Sequence, residues 1–179
     1  DGTRFVMSPI VTNIYAVLSF IFIRLHSLLD YTTKLVFEIE HLRTDFSSYP
    51  RLASSNILFS DHKRNAFYRV AGTLFESSDL IAEIELYRNF IIHDGLLDNM
   101  PKIYKVIMGG RPVEKFLLLP DRGSEGRFER FRNRNLFYCR EDKINQRLPA
   151  LVQEFQVRQI ETLKLMLGRL NTPTSGEET

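Results

Sequence analysis

From Phe5 to Ile23 the chain runs for 19 residues without a charged side chain, and no other stretch restricts the fold as much. A run this long and this apolar is stable only when much of it leaves water, in a protein core or a bilayer. Ser8, Pro9, Thr12, Asn13 and Ser19 interrupt it, which argues against a membrane span. Apolar residues recur at helical spacing through and beyond it: Ile10, Ile14, Val17, Leu18, Ile21, Leu25, Leu28, Leu29, Leu35 and Val36. With Pro9 at its first turn, the pattern predicts one long helix over 10–42. No stable membrane association is expected.

A chain of 179 residues suits a single compact domain, 1–179. Hydrophobic residues make up 44% and charged residues 26%, an ordinary balance for a soluble protein. The net charge of +2 does not by itself demand a nucleic-acid partner. The lone Cys139 excludes an internal disulfide framework, and no Cys/His cluster has zinc spacing. No metal and no cofactor are expected, and a cytoplasmic location is the simplest setting.

After the first helix, Thr44 to Ser60 reads as a loop. A second helical region is predicted from about Asp61 to Leu97, capped by Ser60 or Asp61. Ser77-Ser78-Asp79 either divides that region or lies on a solvated face of it. Ile103–Met108 and Val113–Leu119 flank Gly109-Gly110, which predicts a β-hairpin, with Asn135–Cys139 as a possible third strand. These form a β-rich insertion over 101–140. Helical spacing returns from Lys143 to Leu170, with Leu148, Val152, Phe155, Leu163, Met166, Leu167 and Leu170 facing the core and Pro149 in the first turn. Residues 171–179 are expected to form a flexible polar tail.

The chemistry concentrates in Arg88-Asn89-Phe90-Ile91-Ile92-His93. Arg-Asn occurs four times, beginning at Arg64, Arg88, Arg132 and Arg134, and only the second has a histidine four residues after its Asn. On a helix Glu85, Asn89 and His93 fall on one stripe, whereas Arg88 and His93 lie about 140° apart. An imidazole can take up or return a proton near neutral pH. A guanidinium clamps a phosphate through directed, charge-assisted bonds. A structural reading of the same residues pairs Arg88 with Glu85 at the surface and sets His93 against the helix C-terminal dipole.

The motif resembles the Arg-Asn-x-x-x-His signature of the HEPN superfamily of nucleotide-binding helical domains. Gly95, two residues after the histidine, departs from a common variant of the family that has Tyr there. The resemblance implies a mainly α fold, a HEPN-like helical bundle with a small β insertion. It also implies a homodimeric, metal-independent endoribonuclease that leaves a 2′,3′-cyclic phosphate and a 5′-hydroxyl. In that reading His93 is the general base or acid, Arg88 the phosphate clamp, Asn89 the orienting group and Glu85 a supporting residue. RNA is then the substrate, an antitoxin protein a possible partner, and a toxin or phage-defence effector the expected role. The alternative is a non-catalytic helical module that binds RNA, a nucleotide or a protein.

A second basic feature is local. Arg122, Arg127, Arg130, Arg132, Arg134 and Arg140 crowd one stretch, interleaved with Phe128, Phe131, Phe137 and Tyr138. Arg127, Arg130, Arg132 and Arg134 are candidate RNA contacts, with aromatics able to stack on bases. In the competing reading the aromatics face the core and the arginines stay solvated. His26, His41 and His62 have no metal spacing and read as structural or exposed. Gly109-Gly110-Arg111-Pro112 lacks the Gly-Lys-Ser/Thr of a phosphate loop.

Overall fold

A computed structural model describes residues 1–41, 65–76, 79–98, 100–123, 127–132 and 135–171. The chain divides into two compact units, one built from Asp1–Leu25 with Ala82–Gln153, the other from His26–Ile81 with Glu154–Thr179. Three helices are present among the described residues: α1 (Pro9–His41), α2 (Asp79–Asp94) and α3 (Ile144–Asn171). Five strands accompany them: β1 (Gly2–Val6), β2 (Ile103–Met108), β3 (Arg111–Phe116), β4 (Arg130–Phe131) and β5 (Asn135–Leu136).

The helical-bundle expectation is overturned: the fold is mixed α/β. The predicted hairpin does form, but it is no appendage. β1 pairs antiparallel with β2, from Gly2 opposite Ile107 to Val6 opposite Ile103, and completes a three-stranded sheet in the order β1-β2-β3. Gly109 and Gly110 both take positive φ, 55° and 72°, as the two-residue turn between β2 and β3 requires. The predicted third strand pairs elsewhere: β5 joins β4 in a separate ribbon.

The second helical region is also shorter than predicted. Residues 65–76 form successive turns, with Arg69 at φ 61° and Gly72 at φ 78°, values an α-helix cannot accommodate. The loop expected over 44–60, His62, the Ser77-Ser78 break and the polar tail beyond Asn171 lie outside the described residues.

The first unit builds its core from Val11, Tyr15 and Phe22 of α1, Ile84, Tyr87, Phe90 and Ile91 of α2, Phe116, Leu118, Leu119 and Phe128 beyond it, and Ile144 and Leu151 of α3. Ser8 starts α1: its Oγ accepts from the Val11 amide at 3.4 Å and its carbonyl from Thr12 at 3.2 Å, with Pro9 in the first turn. An aromatic chain stiffens this core. Phe22 lies 4.6 Å from Tyr87, Tyr87 5.3 Å from Phe128, and Phe128 4.9 Å edge-on to Phe90, each contact adding roughly 0.5–1.5 kcal/mol beyond burial.

The second unit packs Leu29, Val36 and Phe37 of α1 with Phe67, Leu74 and Phe75, and Phe155 and Met166 of α3. Here the turns are tied to α3 by polar contacts: Thr162 Oγ1 accepts from the Leu74 amide at 3.0 Å, and Arg158 donates to Glu76 at 2.5 Å and to Glu154 at 3.0 Å. Leu163, Leu167 and Leu170, read as core from spacing, are exposed. Pro149 lies inside α3, beyond its first turn. By length and composition α1 is apolar enough to cross a bilayer over Pro9–Glu40, and 33% of its 18-residue apolar window is buried within the protein.

Candidate functional site

The site lies wholly within the first unit. An open cleft of about 680 Å³ is lined by Leu86, Asn89, Phe90, His93 and Asp94 of α2 and by Arg127, Phe128 and Arg130 of the segment entering β4. Helical spacing explains one wall, because residues 86, 89, 90 and 93 share a face. That face is apolar at Phe90, which is buried, and polar at Asn89 and His93, which are exposed.

α2 ends abruptly beside His93. Gly95 takes φ 90°, and its amide donates to the Ile91 carbonyl at 2.8 Å. This is a left-handed cap of the kind glycine favours. An L side chain is strained at that φ, which accounts for a glycine at position 95.

The opposite wall is held by two buried carboxylates that sequence reasoning missed. Glu83 of α2 has no exposed side-chain area, and Arg147 of α3 donates to it through Nε, 3.1 Å from both carboxylate oxygens, and through a terminal nitrogen. Arg122 approaches the same carboxylate at 3.3 Å, and Arg122 bridges backbone to Phe128. The cleft floor is thereby pinned to α2. Between them Tyr87 is fully enclosed, and burial, then the Glu83 charge, push its phenol up so that it stays neutral. Asp121, also buried, accepts from the amides of Cys139 at 2.6 Å and Arg140 at 3.0 Å. That clamp fixes the base of the β4–β5 ribbon.

The structure divides the predicted site residues. Asn89 and His93 come together in the cleft and face Arg127 and Arg130. Arg88 does not line it; its guanidinium donates to Asn89 Oδ1 at 2.8 Å and so touches the cleft through the amide. Glu85 is half-buried and also lies off the lining. Arg132 sits over the Phe131 ring at 5.1 Å, away from the cleft, and Arg134 lies outside the described residues. Arg122 and Arg140 are engaged by Glu83 and Glu129. Arg130 pairs with Asp94 at 3.4 Å and stacks over Phe90 at 5.0 Å.

The resulting pocket has an imidazole, a neutral amide, two cations, one carboxylate and an aromatic floor. It suits an anionic, partly apolar ligand such as a nucleotide. Comparison with protein-family models, curated proteins and solved structures finds no match for this chain.

Proposed function

We propose that this cleft binds RNA and cleaves it by transesterification, with His93 as the proton-transfer group. What supports the reading is the placement of His93 and Asn89 opposite Arg127 and Arg130 across one open cleft. The reading rests on these residues and not on a helical bundle. Arg127 and Arg130 clamp the scissile phosphate and offset the charge that builds on it. Asn89, braced by Arg88, orients the ribose or the phosphate.

His93 takes the proton from the 2′-hydroxyl. The 2′-oxygen bonds to phosphorus, the bond from phosphorus to the 5′-oxygen breaks, and that oxygen leaves with a proton from water or from the imidazolium of a second copy of the chain. The products are a 2′,3′-cyclic phosphate and a 5′-hydroxyl. No metal takes part in this scheme.

The test is cleavage of labelled RNA in chelator. His93→Ala should abolish cleavage and retain RNA binding, while Arg127→Ala should weaken both. A second reading, an RNA-binding module without catalysis, is favoured by the ion pair of Arg130 with Asp94, which already engages one of the two cations. Binding without cyclic-phosphate product in the wild-type chain selects it.

A further inference from the structure

We infer that the outer face of the β4–β5 ribbon is a second subsite, a stacking platform for the unpaired bases of single-stranded RNA. It deepens the RNA reading and takes its ligand class from it. Arg130 lies opposite Leu136 and Phe131 opposite Asn135, and the Phe137 amide donates to the Glu129 carbonyl at 3.4 Å, which extends the same register by one pair. Opposed residues share a face and successive residues alternate.

One face therefore carries Phe128, Arg130, Leu136 and Tyr138, the other Glu129, Phe131 and Phe137. Burial follows this division. Phe128 is enclosed and the Tyr138 hydroxyl is buried, whereas Phe131 is 51% and Phe137 39% exposed. Phe131 and Phe137 occupy diagonal positions of the ladder, a spacing of roughly 7–8 Å between residues that two splayed bases can span.

Both residues leave a large part of their apolar surface in water. Their surroundings select the occupant. Arg132, held at φ 50°, lays its guanidinium 5.1 Å from the Phe131 ring centre. Arg140 pairs with Glu129 at 3.2 Å, so this acid carries its own counter-ion. Aromatic faces flanked by guanidinium planes are complementary to bases and the phosphates between them, and they do not discriminate among bases. A duplex keeps its bases stacked within the helix and offers this face only phosphates. Since Arg130 projects from the opposite side of the same strand into the cleft, one strand of RNA can touch both.

The chain has no tryptophan, so Phe131→Trp installs a single reporter. The full chain is titrated with a short 2′-O-methyl oligouridine, which cannot undergo 2′-OH cleavage, and with a duplex of equal length. Replacing both rings with alanine should lower single-strand affinity about tenfold or more and leave duplex affinity unchanged. The tryptophan at 131 should be quenched by the single strand and not by the duplex. Both rings are exposed, so circular dichroism should be the same for all variants. Single-strand affinity indifferent to the double alanine change, or an unquenched tryptophan, overturns the platform and leaves the cleft reading standing. Ribbon-dependent binding with no cleavage of ordinary RNA overturns the catalytic reading alone.

Discussion

Arg130 reaches across the cleft to Asp94, its terminal nitrogen 3.4 Å from Oδ2, with its guanidinium 5.0 Å from the centre of the Phe90 ring. Both partners are about a third exposed, so the pair adds little to stability. In the proposed RNA reading its importance is to the ligand. Asp94 holds the cation over the aromatic floor and at the same time puts a negative charge where a phosphate should enter.

Removing that charge should therefore help binding. Asp94→Asn is expected to tighten RNA binding several-fold at low salt with unfolding free energy unchanged within about 0.5 kcal/mol. Arg130→Ala should weaken binding and lower the slope of log affinity against log salt by about one. Fluorescence anisotropy across a salt series reads both. An unaltered slope in the alanine variant removes Arg130 from the phosphate-binding set.

Glu83 has no exposed side-chain area, whereas Arg122 and Arg147 keep about a third of theirs. This asymmetry sets an order of mutational cost. Arg147→Met leaves the buried carboxylate paired with Arg122 and should cost about 3–5 kcal/mol. Glu83→Gln leaves two arginines that water can still reach, and should cost less. Urea midpoints of the two variants give the order directly, and the reverse order contradicts the burial argument.

The parts of the fold set by local pattern were legible in the sequence. Helical spacing gave α1 and α3, and Gly109-Gly110 between β-prone runs gave the β2–β3 hairpin. The expected phase of α1 fails over its first half, where Ile10 and Val17 are exposed and Val11, Tyr15 and Phe22 are buried; farther along, Leu25, Leu29 and Val36 of the expected stripe are buried. With no charge between Phe5 and Ile23, no polar face marks which side turns outward. β1 was invisible because its partner lies about a hundred residues away, and a five-residue strand has little local signal.

Gly72 and Gly95 were in plain view, and only the positive φ each adopts shows that one breaks and the other caps a helix. The site was half legible. Spacing put Asn89 and His93 on one stripe, and the same 100° per residue turned Arg88 away from His93. Their pairing with Arg127 and Arg130 depends on the buried anchors Glu83 and Asp121, whose isolated acidic letters carry no pattern.

The Gly95 cap makes a stability prediction tied to the site. A Cβ added there meets nothing within 4 Å, so Gly95→Ala acts through backbone strain alone, at about 1–2 kcal/mol. The last turn of α2, which carries His93, should fray. Hydrogen exchange at residues 91–94 should accelerate in this variant, and RNA cleavage should fall further than RNA binding. Equal exchange rates in the two proteins would place the strain elsewhere.

Acid should weaken the second unit through Glu76. The Gly72 amide, at 2.9 Å, and Arg158, at 2.5 Å, both bond its carboxylate and hold it below its ordinary value of 4.5. The sign follows from linkage: a carboxyl lowered in the folded state adds stability above its unfolded value, and that stability is lost as pH falls through the folded value. Wild-type Tm should therefore drop more steeply than that of Glu76→Gln as pH falls below about 4.5. The two curves should converge once the wild-type carboxyl is protonated, because the glutamine variant has no such charge to lose. Thermal unfolding followed by circular dichroism across this range measures the difference, and parallel curves would show that Glu76 does not couple protonation to folding.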